Sequence, residues 1–316
     1  MDQWVYVNLL RCYKKLSPDY PKYSEVLEKI VESSDKGNNK FPFSIAHLHE
    51  TIKRTKLSSR KELYKFIFDV SKFYTIRPWV QVLDLEVRNA VLEFSGIKPI
   101  DLTSFVFGNE IGHCFGARAE FKHIDSNTKI DKEKLEQLYS AYRNPELMSD
   151  ALCKDKMIEY VESLIQEDKK LARELENLRK KEYLHPDKKM RQNISDARFF
   201  INIIQDKYIN AVKDFKLDFK KFSMQVFSSK EHATTFLKSI PTAYVFHILN
   251  DVRNKNFSRP IEPNDLWDLG SLAISVPYCD IVITEREWAN ILNQKKIGEL
   301  YNTKIIHKIE DLSKLI

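Results

Sequence analysis

Glycine is scarce, with 7 residues in a chain of 316. So few turn-forming residues argue against a sandwich or barrel, and the abundance of lysine, leucine and glutamate favours helices. Cysteine is sparse too. Cys12, Cys114, Cys153 and Cys279 are scattered and form no C-x-x-C pair, which argues against a zinc ribbon or a thioredoxin-like motif and fits free thiols in a reducing compartment. The chain does not open with a basic segment and an apolar run, so no signal peptide is expected. No apolar stretch approaches the roughly 20 residues that span a bilayer. A cytoplasmic location without a membrane partner is the expectation. Gly108, Gly112 and Gly116 are not followed by Gly-Lys-Ser/Thr, so a phosphate-binding loop gains no support.

What is present suits a chain with a sizeable core. Apolar residues make up 43%, and the length allows one large domain or a core carrying an insertion. The formal charge of +6 is compatible with a polyanionic partner and equally with simple solubility.

Apolar spacing predicts helices from Trp4 and over 23–34, then a buried strand at Phe41–Ala46 running into a helix at His47. Ser59 and Glu62 read as a capping box, and another helix follows Arg77-Pro78. From about 132 to 222 charge becomes dense. Met157, Val161, Leu164, Leu171, Leu175 and Leu178, broken by Asp168, form a coiled-coil-like seam. His185-Pro186-Asp187 ends it, and Ile194, Ile201, Ile204, Tyr208, Phe215, Phe219 and Phe222 line a returning helix, so an antiparallel helical hairpin is expected. Beyond 229 the pattern alternates. A helix with Asp265 and Asp268 precedes a Pro277-Tyr278 turn, a strand at Cys279–Thr284, a helix, a strand at Thr303–His307 and a last helix. Alternation of this kind implies an α/β fold with a parallel sheet.

The acids stand at telling places. Asp2 precedes the first helix, and Glu50 follows the apolar run ending at Ala46. Asp265 and Asp268 share a helical face, while Asp280 opens the penultimate strand and Glu285 closes it. Parallel sheets bind ligands outside the carboxyl ends of their strands, so such acids converge in space. Hard divalent cations take oxygen ligands, and phosphodiester hydrolysis needs a metal-activated water and positive charge at the phosphate. Each acid also has a plain structural use: Asp265 and Glu285 as first-turn acids favouring a helix dipole.

These residues resemble the PIN-domain ribonucleases. Asp2 in Asp2-Gln3-Trp4 looks like that family's first acid, and Glu50 in Ser44-Ile45-Ala46-His47-Leu48-His49-Glu50-Thr51 like its second. Asp268 in Asp268-Leu269-Gly270-Ser271-Leu272-Ala273-Ile274-Ser275 looks like the third, and Glu285 after Asp280-Ile281-Val282-Ile283-Thr284 like the fourth. Thr303-Lys304-Ile305-Ile306-His307 resembles the final strand. The resemblance covers roughly 1–95 and 230–316. It implies a small parallel sheet flanked by helices (1–99 and 230–316), interrupted by an all-helical insertion (100–229). It also implies Mg- or Mn-dependent cleavage of RNA by an endoribonuclease. Asp2, Glu50, Asp268 and Glu285 would ligate the metal, with Asp265 and Asp280 as further ligands or supports. Glu86 is a weaker candidate. Ser271 stands where histidine is frequent, Glu285 where aspartate is usual, and Glu287 is a rival for Glu285. The first acid of the family follows an apolar strand, whereas Met1 alone precedes Asp2, so an apolar strand encoded upstream is expected.

Other features have competing readings. His47, His49 and Glu50 lack the H-E-x-x-H spacing of a zinc helix. Arg54, Arg60 and Lys61 are candidates to hold a nucleic-acid backbone. Arg179-Lys180-Lys181, Lys188-Lys189 and Arg191 flank the hairpin tip and read either as a backbone-tracking patch or as a solvated face diluted by acids. The same residues also suit a toxin or defence nuclease restrained by an inhibitory or recruiting protein on the hairpin, a homodimer, or a non-catalytic RNA-binding or assembly module.

Overall fold

The computed structural model describes residues 1–16, 18–116 and 131–316. The chain opens with α1 (Gln3–Tyr13) and α2 (Asp19–Asp35), packed on each other. Then come α3 (Ile45–Ile52), α4 (Leu57–Ser71), strand β1 (Thr75–Ile76), α5 (Trp79–Phe94), α6 (Thr103–Val106) and strand β2 (Phe107–Gly108). Past residue 131 lie α7 (Lys132–Tyr142), α8 (Pro145–Leu152) and the long α9 (Asp155–Tyr183). They are followed by α10 (Lys188–Phe199), a π-helical turn at Phe200–Ile204, α11 (Gln205–Asp214), α12 (Phe219–Val226), α13 (Lys230–Lys238) and α14 (Pro241–Lys255). The chain closes with α15 (Pro263–Tyr278), β3 (Ile281–Ile283), α16 (Arg286–Gln294), α17 (Ile297–Tyr301), β4 (Lys304–Ile306) and α18 (Ile309–Leu312).

The fold is mostly helical, which corrects the expected small parallel sheet flanked by helices. Among the described residues the strands form two separate pairs, β1–β2 antiparallel and β3–β4 parallel. The apolar run at Phe41–Ala46 is the main cause of the difference. It yields one parallel bridge, Phe43 to Thr75, and then turns into α3. Pro42 supplies no N–H to a ladder. The Ser44 N–H donates to His47 Nδ1 at 3.0 Å, a capping box with histidine in the usual glutamate position. Burial is carried by helices, so two- and three-residue strands suffice.

Caps explain several helix starts. Asn144 accepts from the N–H groups of Glu146 and Leu147 ahead of α8, and Asp187 from Lys189 and Met190 ahead of α10. Pro263 begins α15, where its missing N–H costs nothing. The expected Pro277-Tyr278 turn lies within the last turn of α15. Gly298 lets α17 close on β4, since a Cβ there would sit 2.5 Å from the Thr303 carbonyl oxygen.

Three large apolar clusters result. One joins α1–α4 with α8 and with Ile283, Ile306 and Ile309. A second joins α5 with Phe199, Ile204, Tyr208 and Phe222. A third joins α14, α15 and the β3–β4 pair with Trp288 and Leu292. The 100–229 stretch is thus shared out: Met148 and Leu152 pack with the N-terminal helices, and α11 and α12 pack on and around α5.

The expected hairpin seam is displaced. Leu171 and Leu178 are exposed, and the covered face of α9 runs through Ile165, Asp168, Ala172 and Arg179 onto α15 and α3. The side chains of Met157 and Val161 lie outside the described residues. Ile201 and Phe219 are exposed as well: Ile201 lies in the π-helical turn, and Phe219 opens a separate helix after the break at 215–218.

Candidate acidic site

Three elements bring the acids together. α1 begins where β3 ends: the Asp2 N–H donates to the Ile283 carbonyl at 3.1 Å, and Thr284 Oγ1 donates to the Asp2 carboxylate at 3.3 Å. Gln3 Nε2 donates to Thr51 Oγ1 at 2.7 Å and ties α1 to the end of α3, one residue past Glu50. α15 packs on α3 and presents Asp268 and Ser271 from adjacent turns. Asp2, Glu50, Asp268, Ser271 and Thr284 line one cavity of about 500 Å³, and Glu285 follows Thr284 directly.

Asp2, Glu50 and Asp268 are perturbed together. Burial pushes Glu50 up to about 8, with Asp2, Asp268 and Glu285 adding repulsion and Lys53 opposing it. Burial pushes Asp268 up to about 7, helped by Asp2 and Glu285. Burial and then Glu285 raise Asp2. Like charges gathered in a poorly solvated cavity disfavour ionisation, and perturbed acids in a cleft mark a candidate functional site.

Lys53, absent from the expected site, stands beside these acids. It lies one turn past Glu50 on the same face, exposed, with Nζ donating to Asn264 Oδ1 at 2.5 Å. Burial lowers its ammonium, while Glu50, Asp168 and Asp268 act in the opposite sense. The i, i+3 spacing from Glu50 was the available signal.

Other sequence candidates sit elsewhere. Asp265 is fully buried and held by Arg253 (Nε donating at 2.8 Å), by Arg259, and by the Glu262 N–H at 2.7 Å. It is a helix-capping ion-pair centre outside the cavity lining. Asp280 lines the cavity at the opposite end of β3, exposed beside Cys279. Glu86 is buried on α5, where it accepts from the Thr242 N–H at 3.0 Å and the Tyr278 hydroxyl at 2.8 Å. Burial pushes it up to about 7. Glu287 is exposed and lies 3.7 Å from Arg259.

The two histidines diverge. His47 Nδ1 accepts from Ser44, so Nε2 carries the proton and donates to the Met1 carbonyl at 2.7 Å. His49 stacks on Trp267, with ring centroids 4.2 Å apart, and its Nε2 lies 3.1 Å from Asp168 without hydrogen-bond alignment. Burial pushes both imidazoles down to about 3. They form no shared ligand set with Glu50.

The basic candidates are likewise engaged. Arg54 Nε donates to Ser59, Arg60 donates to the Arg54 carbonyl, and Lys61 pairs with Asp150 at 2.6 Å. Arg179, placed by sequence in a basic patch, is buried. It donates to the Asn256 and Arg259 carbonyls at 2.9 and 3.2 Å and pairs with Glu176 at 2.6 Å.

Among the described residues no three His, Cys, Asp or Glu side chains stand close enough to enclose a metal ion in this conformation. The acids nevertheless supply what a hard cation takes: carboxylate oxygens around a polar cavity, with charge that none of them can offset for another. No described helix is long and apolar enough to cross a membrane. Comparison with protein-family models, with curated proteins and with solved structures finds no match.

Proposed function

We propose that this chain is a metal-dependent nuclease that hydrolyses phosphodiester bonds of RNA at the Asp2–Glu50–Asp268–Glu285 cavity. One observation carries the reading. Asp2, Glu50 and Asp268, from elements far apart in the chain, line one cavity with Glu285 just past its edge, and burial together with neighbouring acids raises the proton affinity of all three. A fold has little reason to keep such repulsion unless a cation relieves it. The motif resemblance to PIN-domain ribonucleases falls on the same four residues.

Asp2, Glu50, Asp268 and Glu285 would hold Mg or Mn, which when bound neutralises phosphate charge and acidifies water. The chain's own parts do the rest. Thr284 orients the Asp2 carboxylate, and α15 fixes Asp268 through the buried Asp265–Arg253 pair one turn earlier. Lys53 sets a cation beside the acids where a phosphate oxygen would approach. His47, with both nitrogens occupied, keeps α3 capped and takes no part in proton transfer.

The test is cleavage of structured and single-stranded RNA with and without Mn, by wild type and Asp268→Asn, alongside calorimetric Mn titration. Metal-dependent cleavage lost in the variant supports the reading. No cleavage and no Mn binding by wild type would overturn it and leave a nucleic-acid-binding or assembly module.

A further inference from the structure

Asp168 interrupts the apolar seam read on α9, and its side chain is only 16% exposed. A carboxylate under that much cover needs partners. One of its oxygens, Oδ2, accepts from Trp267 Nε1 at 2.6 Å and lies 3.1 Å from His49 Nε2. The imidazole and indole rings lie against each other, with planes 22° from parallel. Three helices therefore meet at one carboxylate: α9 itself, α3 through His49 and α15 through Trp267. His49 stands directly before Glu50 in the chain, and Trp267 directly before Asp268. Asp168, His49 and Trp267 all lie outside the cavity lining. Lys53 sits in the field of Asp168 as well as of Glu50 and Asp268, so the charge of Asp168 and its hydrogen bond are separate influences.

We infer that Asp168 is a positioning residue: by gripping Trp267 and backing His49 it sets the placement of Glu50 and Asp268 across the cavity, which makes α9 part of the frame of the acid site. Successive residues of an α-helix are about 100° apart around its axis, so a hold on one residue fixes where the next one points. Pinning His49 and Trp267 to the same carboxylate fixes α3 and α15 in rotation as well as in distance. The indole N–H is a donor only, so the bond it makes is directional and has a single sense. A site that binds a cation needs its groups placed within about 0.5 Å and 10–20°, and contacts that orient the ligands from behind are typically worth roughly 10–100-fold in metal affinity. The consequence for metal binding rests on the nuclease reading, whereas the frame itself is measurable in the metal-free chain.

The test compares full chains of wild type, Asp168→Asn, Asp168→Ala and Trp267→Phe by amide exchange without metal and by calorimetric Mn titration. Asparagine keeps an oxygen for the Trp267 N–H while losing the charge; phenylalanine keeps a ring against His49 while losing the N–H. Asp168→Ala and Trp267→Phe should each speed exchange at the Glu50 and Asp268 amides about fivefold, the worth of one hydrogen bond, and weaken Mn binding about tenfold or more. Asp168→Asn should keep wild-type values on both. Adding Trp267→Phe to Asp168→Ala should cost nothing further, because both remove the same bond. The loop at 256–261, which α9 holds separately through Arg179, should keep its protection throughout. Unchanged exchange at Glu50 and Asp268 in Asp168→Ala, equal losses in Asp168→Asn and Asp168→Ala, or equal loosening of the 256–261 loop overturns the inference. A wild type that binds no Mn sinks the nuclease reading, and the exchange rates alone then decide whether Asp168 holds the two acids in place.

Discussion

Glu50→Gln should make the protein more stable, by an amount that depends on pH. Glu50 is half-buried among three other acids, and its carboxyl is pushed from 4.5 to about 8. A carboxyl raised in this way takes up a proton on folding. Its cost is absent below 4.5, grows as pH rises, and levels off above about 8. The full interval is about 3.5 pH units, on the order of 5 kcal/mol at roughly 1.4 kcal/mol per unit. Solvent at the cavity mouth and relaxation of the neighbouring acids reduce this to about 2 kcal/mol. At roughly 2.1 cal/mol/K of unfolding entropy per residue, a chain of 316 residues gains about 3 °C in Tm. The assay is differential scanning calorimetry of wild type and variant at pH 5 and pH 8, in chelator. The gain should be clear at pH 8 and mostly gone at pH 5. A variant less stable than wild type at pH 8, or one stabilised equally at both pH values, would refute the idea that the acids share one poorly solvated field.

The remaining expectations follow from single contacts. Asp268→Asn should lower Mn-dependent RNA cleavage by more than about 100-fold, beyond the roughly 10–100-fold that losing a supporting contact costs a metal site; initial rates at saturating Mn decide this. Asp265→Ala strands the buried Arg253 guanidinium, so chemical denaturation should show a loss of about 3–5 kcal/mol. Arg179→Met leaves the Asn256 and Arg259 carbonyls without their donor; a loss of about 1–3 kcal/mol and faster amide exchange across residues 256–261 are expected. Retained protection in that loop would show that the guanidinium does not hold it.

The acids were more legible in sequence than the architecture that gathers them. Asp2 and Glu285 stand at helix N-caps, which local pattern can reveal, whereas Glu50 and Asp268 lie inside α3 and α15 and are read from motif spacing. Whether an apolar run becomes a strand is not local. Phe41–Ala46 has strand composition, yet Pro42 and the Ser44–His47 cap leave it one bridge before α3 begins. Asp265 and Asp268 looked equivalent because both lie on one helical face. The difference comes from Arg253 and Arg259, 12 and 6 residues earlier, whose arrival at Asp265 depends on packing. Leu171 and Leu178, read as part of a seam on α9, face solvent, while Asp168 and Arg179 face inward, because their partners are Trp267 and two backbone carbonyls that no periodicity marks.

Arg179 also makes the hairpin and the entry to α15 one mechanical piece. Its guanidinium grips the loop that leads into the helix bearing Asp268, and Glu176 beside it accepts from the Ile261 N–H at 3.1 Å. Arg179 lies four residues before the end of α9 at Tyr183, so a load applied at the hairpin tip meets that grip within about one helical turn. The tip of the hairpin is therefore fastened to the loop that feeds the helix bearing Asp268.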